Sequence, residues 1–325
     1  MTRILAADIG GTKTLLQLGE VRGNRYRVSY ERRYDSQAFP TFDDVLSNFL
    51  DAAALQSIQS ACFAVAGPIA INGSSANVTN LPWTLDCRKL MKRFNINRLT
   101  LVNDFHAVAV GIETLSESDV LTLQQGQPQK HGAQLVVGAG TGLGVAQRFW
   151  SGYAYQVQAA EAGHAGFAPA TEQQRQLLGF LAKDHPCVSR EHVLSGQGMV
   201  MIYRFLCQQG KQMCQTLIDP AQISLIANRP DADEHRVCQE TLALFFEIYG
   251  SECGNLALTT LPYGGVYIAG GIAAKNLEAM KASTFVDAFR NKNKMSKLLM
   301  TIPIHVIRDE MIGLNGALYL ASQAV

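Results

Sequence analysis

A short apolar run beginning at Leu5 reaches a carboxylate at Asp8 and turns through Gly10 and Gly11. Beyond the turn, Thr14, Leu16 and Leu18 alternate with Leu15 and Gln17. An apolar run before a glycine pair and alternation after it predict strand, turn, strand. The pattern recurs at residues 134–149, QLVVGAGTGLGVAQRF, where a strand meets Gly138, Ala139, Gly140, Thr141 and Gly142 before a second apolar run begins at Val145. A third glycine signal, GGVYIAGGIAAKN at residues 264–276, predicts a buried strand over 266–269, a turn at Gly270 and Gly271, and a helix.

Between these landmarks the pattern is mixed. Phe42, Val45, Leu46, Phe49, Leu50 and Ala53 recur at the helical period. SACFAVAG is a short buried strand that stops at Gly67-Pro68, and LTLVNDFHAVAVGI is a strand that runs into a helix at Asp104. Leu242, Phe245, Phe246, Tyr249, Cys253 and Leu256 stripe a long helix. IPIHVIRD reads as a late strand, and MIGLNGALYLAS as a final helix whose Gly313 and Gly316 allow close packing. Loops are expected at 72–80, 115–132 and 208–233. The repeated strand–glycine–strand unit suggests a duplicated architecture, with two hairpin turns gripping one polyphosphate.

Length and charge narrow the function. A chain of 325 residues predicts two domains rather than one core. Net charge is +1, so the basic field that drives nucleic-acid binding is absent. No run of 18 uncharged apolar residues is present, and the N-terminus does not read as a signal peptide, so no membrane partner is expected. The 7 cysteines are odd in number and lack C-x-x-C spacing. Reduced thiols in a cytoplasmic enzyme are therefore expected, with neither a disulfide framework nor a zinc site.

The glycine turns match neither a Walker loop nor a dinucleotide loop. Glycines there let the backbone approach an anion closely, and Asp8 is placed to hold Mg²⁺ through water. Taken alone, the first turn is equally an ordinary hairpin with a solvated Asp. Asp104, at a strand–helix junction, reads either as a helix cap or as a general base. Glu161, His164 and Glu191 are weak signals one by one, but their small neighbours Ala162, Gly163, Ala165 and Gly166 leave room for a ligand.

Six segments in one order, DIGGTK (8–13), LVNDFHAVA (101–109), GAGTGLGVA (138–146), EAGHAGFAP (161–169), EHVLSGQG (191–198) and IAGGI (268–272), resemble the bacterial glucokinase family. The likeness is to its non-ROK branch, within the hexokinase/actin/Hsp70 superfamily, and it spans essentially the whole chain. It implies an α/β, two-domain actin-like ATPase (ribonuclease H-like) fold, with ATP and sugar in the interdomain cleft. The small domain is expected at 1–108 plus about 306–325, and the large one at 109–305. The implied activity is ATP-dependent phosphorylation of glucose. On that reading Asp104 is the base, and Asn103, Asp104, Glu161, His164 and Glu191 hold glucose. Ala7, Asp8, Ile9, Gly10, Gly11 and Thr12 meet ATP from one domain, and Gly138, Gly140, Thr141 and Gly142 meet it from the other. Gly270 and Gly271 fall at the nucleoside, and Asp8 orients Mg²⁺. Only Cys187 lies where ROK relatives carry their zinc motif, and no DNA-binding extension precedes Asp8. The resemblance suggests a homodimer. A kinase for another hexose or an N-acylhexosamine, and a non-catalytic sugar sensor, are the alternatives; no basic patch of the polyphosphate-using kind stands out.

Overall fold

The computed structural model describes residues 2–23, 25–54, 57–210, 219–232 and 234–325. The chain divides into two compact units, Met1–Glu117 with Met311–Val325, and Ser118–Glu310.

The first unit opens with β1 (Thr2–Ile9), β2 (Lys13–Arg22) and β3 (Arg25–Asp35), an antiparallel meander. Helix α1 (Phe42–Ala52) follows, started by a reciprocal capping box between Thr41 and Asp44. Then come β4 (Ser60–Val65), the small pair β5 (Ser75–Asn77) and β6 (Thr84–Asp86), α2 (Cys87–Phe94), β7 (Leu99–Asn103) and α3 (Asp104–Gly111). The sheet order is β3-β2-β1-β4-β7, with β4 parallel to both β1 and β7.

The second unit contains β8 (Val120–Gln124), β9 (Gln134–Ala139), β10 (Leu143–Trp150) and β11 (Tyr155–Ala160). Helices α4 (Glu172–Leu181), α5 (Gly196–Gly210), α6 (Pro220–Ala227) and α7 (His235–Thr260) follow. After them come β12 (Gly265–Ala269), α8 (Gly271–Lys275), α9 (Leu277–Ala282), α10 (Phe285–Arg290), α11 (Ser296–Leu299) and β13 (Ile304–Ile307). Its sheet runs β11-β10-β9-β12-β13-β8. Five of these strands repeat the first sheet: a meander, β9-β10-β11, then two strands parallel to its first member. The final helix, α12 (Ile312–Gln323), belongs to the first unit.

β1 is a near-continuous apolar run because both of its faces are covered. Leu5, Ala7 and Ile9 pack with α1 residues such as Phe42, Val45 and Phe49. Ile4 and Ala6 pack on the other face with Ala107 of α3 and Leu314, Ala317 and Leu318 of α12. The second unit has a single large core in which the α7 stripe, including Phe245, Phe246 and Tyr249, covers β9 and β12. No helix among the described residues is long and apolar enough to cross a membrane.

The structure departs from the sequence expectations at several places. The 108/109 boundary falls inside α3, and the units divide after Glu117 and again at Met311. The helix that Asp104 begins has to finish on the sheet it packs against before the chain can leave. The 115–132 loop contains β8, an edge strand of 5 residues, too short to show a period. The 208–233 loop contains α6, begun by Asp219 and by Pro220 in its first turn, while residues 211–218 lie outside those described. Cys207 is disulfide-bonded, against the expectation of reduced thiols, and Cys62, Cys87, Cys187, Cys238 and Cys253 are free. Pairing depends on sulfur proximity, which cysteine spacing alone does not give.

Helices α3 and α12 touch backbone to backbone. A Cβ at Gly316 would fall on the Ala107 carbonyl oxygen, and one at Gly111 on that of Ile312. Gly316→Ala should therefore push the two helices apart, at a cost of about 1–3 kcal/mol. Thermal unfolding should show a Tm lower by several degrees; an unchanged Tm would mean that this crossing is not tight.

Candidate active site

In the first unit, β1 delivers Ala7 and Ile9 to the core and leaves Asp8 half-buried at the head of the turn. The turn is closed by the Gly10 N–H donating to the Lys13 carbonyl at 3.0 Å. Ser36 braces it from behind. Its hydroxyl donates to the Gly10 carbonyl at 2.8 Å and lies 2.9 Å from the Thr14 hydroxyl, and its N–H donates to the Thr12 carbonyl at 3.0 Å. The N–H groups of Gly11 and Thr12 make no hydrogen bond within the described residues. Backbone donors left open beside carbonyls already engaged make an anion-binding turn.

β7 and α3 supply Asn103 and Asp104. The cap of α3 is Asn103, whose Oδ1 accepts from the N–H groups of Phe105 at 2.9 Å and His106 at 3.2 Å. Capping therefore falls to Asn103 and not to Asp104, whose Oδ1 accepts from the Phe105 N–H at 2.8 Å. Two bonds to Oδ1 leave the Asn103 amide nitrogen as its group for a ligand hydroxyl. Burial pushes the Asp8 carboxyl up to about 6; the negative charge of Asp104 adds to this, and Lys13 opposes it. The two carboxyl groups thus feel each other across the ends of β1 and β7.

In the second unit, Gly138 lies in β9 and the turn spans 140–142. The Gly140 N–H donates to the Gly142 carbonyl, and the Gly140 carbonyl accepts from Gly196 at the start of α5, both at 2.8 Å. Thr141 is exposed. The Tyr249 hydroxyl accepts from the Ala139 N–H at 3.1 Å and donates to the Val137 carbonyl at 3.2 Å, so α7 fixes the strand that leads into the turn. Gly270 has φ +88°, and a Cβ there would fall on the Ala139 carbonyl oxygen. That places Gly270 and Gly271 at the same end of the sheet as the 140–142 turn.

Glu161, His164 and Glu191 are brought together by two paired segments. The N–H groups of Phe167, Arg190 and Glu191 donate to Val188, Ala165 and Gly163 respectively, each at 2.9 Å. His164 Nε2 lies 3.8 Å from Glu161 Oε2, and both side chains are exposed. Glu191 is half-buried, and its Oε2 accepts from the Leu143 N–H at 2.8 Å. A cavity of about 290 Å³ is lined by residues that include Glu191, with Thr141, His185, His192 and Ser195, but not Glu161 or His164. Burial, with His185 stacked on the ring, holds His192 below the usual histidine range.

The groups that sequence reasoning missed lie behind these segments. Arg190 Nε pairs with Glu252 Oε2 at 2.8 Å, and its Nη1 donates to the Ala162 carbonyl at 3.0 Å. Glu252 Oε1 accepts from the Ala168 N–H at 3.0 Å. One ion pair thus clamps both ends of the 162–168 loop. The available signal was Glu252 itself, a carboxylate within the apolar stripe of α7, which demands a partner. Among the described residues no cluster of three or more metal-ligating side chains forms.

Two sheets of one strand order, each with a glycine turn after its first strand, define the actin-like ATPase fold. The family model described as Glucokinase matches residues 5–324. A curated glucokinase from Trichormus variabilis is 41% identical, over 99% of this chain and 100% of its own. One from Psychromonas ingrahamii is 35% identical, over 96% and 95%. The crystal structure of a glucokinase from an Antarctic psychrotroph superposes with a TM-score of 0.86 at 30% identity, covering 99% of both chains. The chain belongs to the glucokinase family.

Asp8 carries a pH signature. Its folded pKa, about 6, lies above the ordinary aspartate value of 3.8. Its contribution to stability is therefore complete below the lower value and is lost as pH rises through the upper one. Without nucleotide or Mg²⁺, Asp8→Asn should melt above the wild type at pH 8, with the gain fading towards pH 4. An equal difference in Tm at both pH values would refute the raised pKa.

Proposed function

We propose that this chain transfers the γ-phosphoryl group of ATP to the 6-hydroxyl of glucose. Asp104 takes the proton from that hydroxyl, whose oxygen forms the new bond to phosphorus as the bond to ADP breaks. Glucose 6-phosphate and ADP leave. The observation that carries this assignment is the capping of α3 by Asn103, whose Oδ1 accepts from two N–H groups of the helix start while Asp104 accepts from one of them with a single oxygen. Asn103, Glu161, His164 and Glu191 orient the sugar with Asp104. The turns at Gly10–Thr12 and at Gly138 and Gly140–Gly142 receive the phosphates, and Gly270 and Gly271 border the nucleoside.

Asp8 fits a magnesium ion. A carboxyl held up to about 6 by burial and by a second carboxylate gains from a cation, and hard oxygen donors suit Mg²⁺. Asp8 would hold the ion through water, and the ion would supply charge neutralisation at the phosphates. We further propose a cytoplasmic enzyme and, as the family resemblance implies, a homodimer; sedimentation would test the dimer. Rates on glucose, mannose and N-acetylmannosamine in an ADP-release assay test the substrate, with glucose expected to lead.

Asp104→Asn keeps the size of the side chain but cannot accept the proton. We expect kcat to fall by about 10²–10⁴ with glucose affinity largely kept. A variant with more than half the wild-type kcat would remove Asp104 from the chemistry.

Gly140→Ala offers a sharper test of the second turn. A Cβ there would meet no heavy atom within 4 Å among the described residues, and Gly140 is not among the glycines of positive φ. The variant should fold with unchanged Tm, yet its KM for ATP should rise because the methyl occupies space open to phosphate. An unchanged KM would separate this turn from the phosphates.

A further inference from the structure

The sugar-reading segment and the phosphate turn of the second unit meet at one residue, Leu143. Its N–H donates to Glu191 Oε2 at 2.8 Å. Its carbonyl oxygen lies where a Cβ of Gly163 would fall, so the 162–164 turn packs directly on that backbone. A Cβ on Gly142 would come within 2.5 Å of the same Glu191 oxygen. Gly142 thus vacates the space that lets the carboxylate reach the turn, and Gly163 the space that lets its own segment pack on Leu143. Glu191 is itself fixed in place: its N–H donates to the Gly163 carbonyl at 2.9 Å, and its carbonyl accepts from the Ser195 hydroxyl at 2.8 Å. The turn is tied in parallel to the start of α5 through Gly196 and Gly140. Glu191 Oε1 makes no hydrogen bond among the described residues.

We propose that Glu191 couples the two substrates within the second unit: one oxygen holds the phosphate turn at Leu143 while the other reads the sugar. This rests on the assignment of Glu191 to the sugar subsite made above. A sugar hydroxyl that donates to Oε1 restrains the carboxylate, and the carboxylate restrains the turn. Nucleotide then binds a turn whose ordering cost is already met, which is positive coupling. Linkage requires the reverse effect with equal strength. Glu191 is in this respect a positioning residue for the phosphates, and domain movement is not required for the effect.

Gly142 makes the idea testable because it lies in the phosphate turn but abuts the sugar-reading carboxylate. Glucose binding is measured by titration calorimetry in the absence of any nucleotide, on the wild type, Gly142→Ala and Gly140→Ala. The coupling predicts that Gly142→Ala weakens glucose about 10-fold, within the usual range of linked sites. Gly140→Ala, with open space around it, should stay within about twofold of the wild type. In the reverse direction, Glu191→Ala should weaken the non-hydrolysable analogue AMPPNP, with Mg²⁺ and without sugar, by about 5-fold. A merely structural role for Glu191 would lower Tm without moving either affinity. Equal glucose affinity in wild type and Gly142→Ala overturns the coupling alone. A wild type that binds no glucose overturns the functional assignment and this proposal with it. If Gly142→Ala does not fold, the AMPPNP measurement decides, and unchanged affinity in Glu191→Ala overturns the proposal.

Discussion

A backbone turn attracts an anion only if its carbonyl oxygens are occupied elsewhere, and both glycine turns are built around that constraint. In the first, the carbonyls of Gly10, Thr12 and Lys13 accept from the Ser36 hydroxyl, the Ser36 N–H and the Gly10 N–H. In the second, those of Gly140 and Gly142 accept from the N–H groups of Gly196 and Gly140. Each turn therefore keeps its negative ends inside the protein, although the partners differ: a buried serine in one unit, the first residue of a helix in the other. The shared strand order gives the turns equivalent places, and local chemistry finishes each one separately. Duplication at the level of topology coexists here with divergence at the level of hydrogen bonds.

The turns were legible in the sequence because an apolar run, a glycine cluster and a second run is a local pattern. β1, β9 and β12 are buried on both faces, so their apolar runs stand out without any knowledge of their neighbours. Partners distant along the chain were not legible. Ser36 lies 26 residues from Gly10, and Glu252 lies 62 from Arg190. Nothing within a short window marks either contact. β3 escaped because an edge strand with solvent on one side carries mostly exposed side chains and loses its alternation, and β8 because its five residues are too few to show a period. The choice between Asn103 and Asp104 as the α3 cap is a matter of which carbonyl or carboxyl oxygen points back at the helix, and adjacent polar residues give no pattern by which to decide it.

Asp8 and Asp104 show the electrostatic side of the same site. Two half-buried carboxyl groups whose charges repel destabilise the ligand-free protein near neutral pH. A proton on Asp8, or any cation beside it, would relieve this repulsion. Stability and function oppose each other here in a direction fixed by charge.

The final helix has a consequence for how the chain acquires its shape. α12 covers the face of β1 that carries Ile4 and Ala6, yet it is separated from them by the whole of the second unit. During synthesis the second unit emerges complete while that face of β1 is covered by α3 but not yet by α12. The nascent chain must therefore carry an exposed apolar surface until its last helix arrives, and it is in this interval that a chaperone or a neighbouring nascent chain can compete for it.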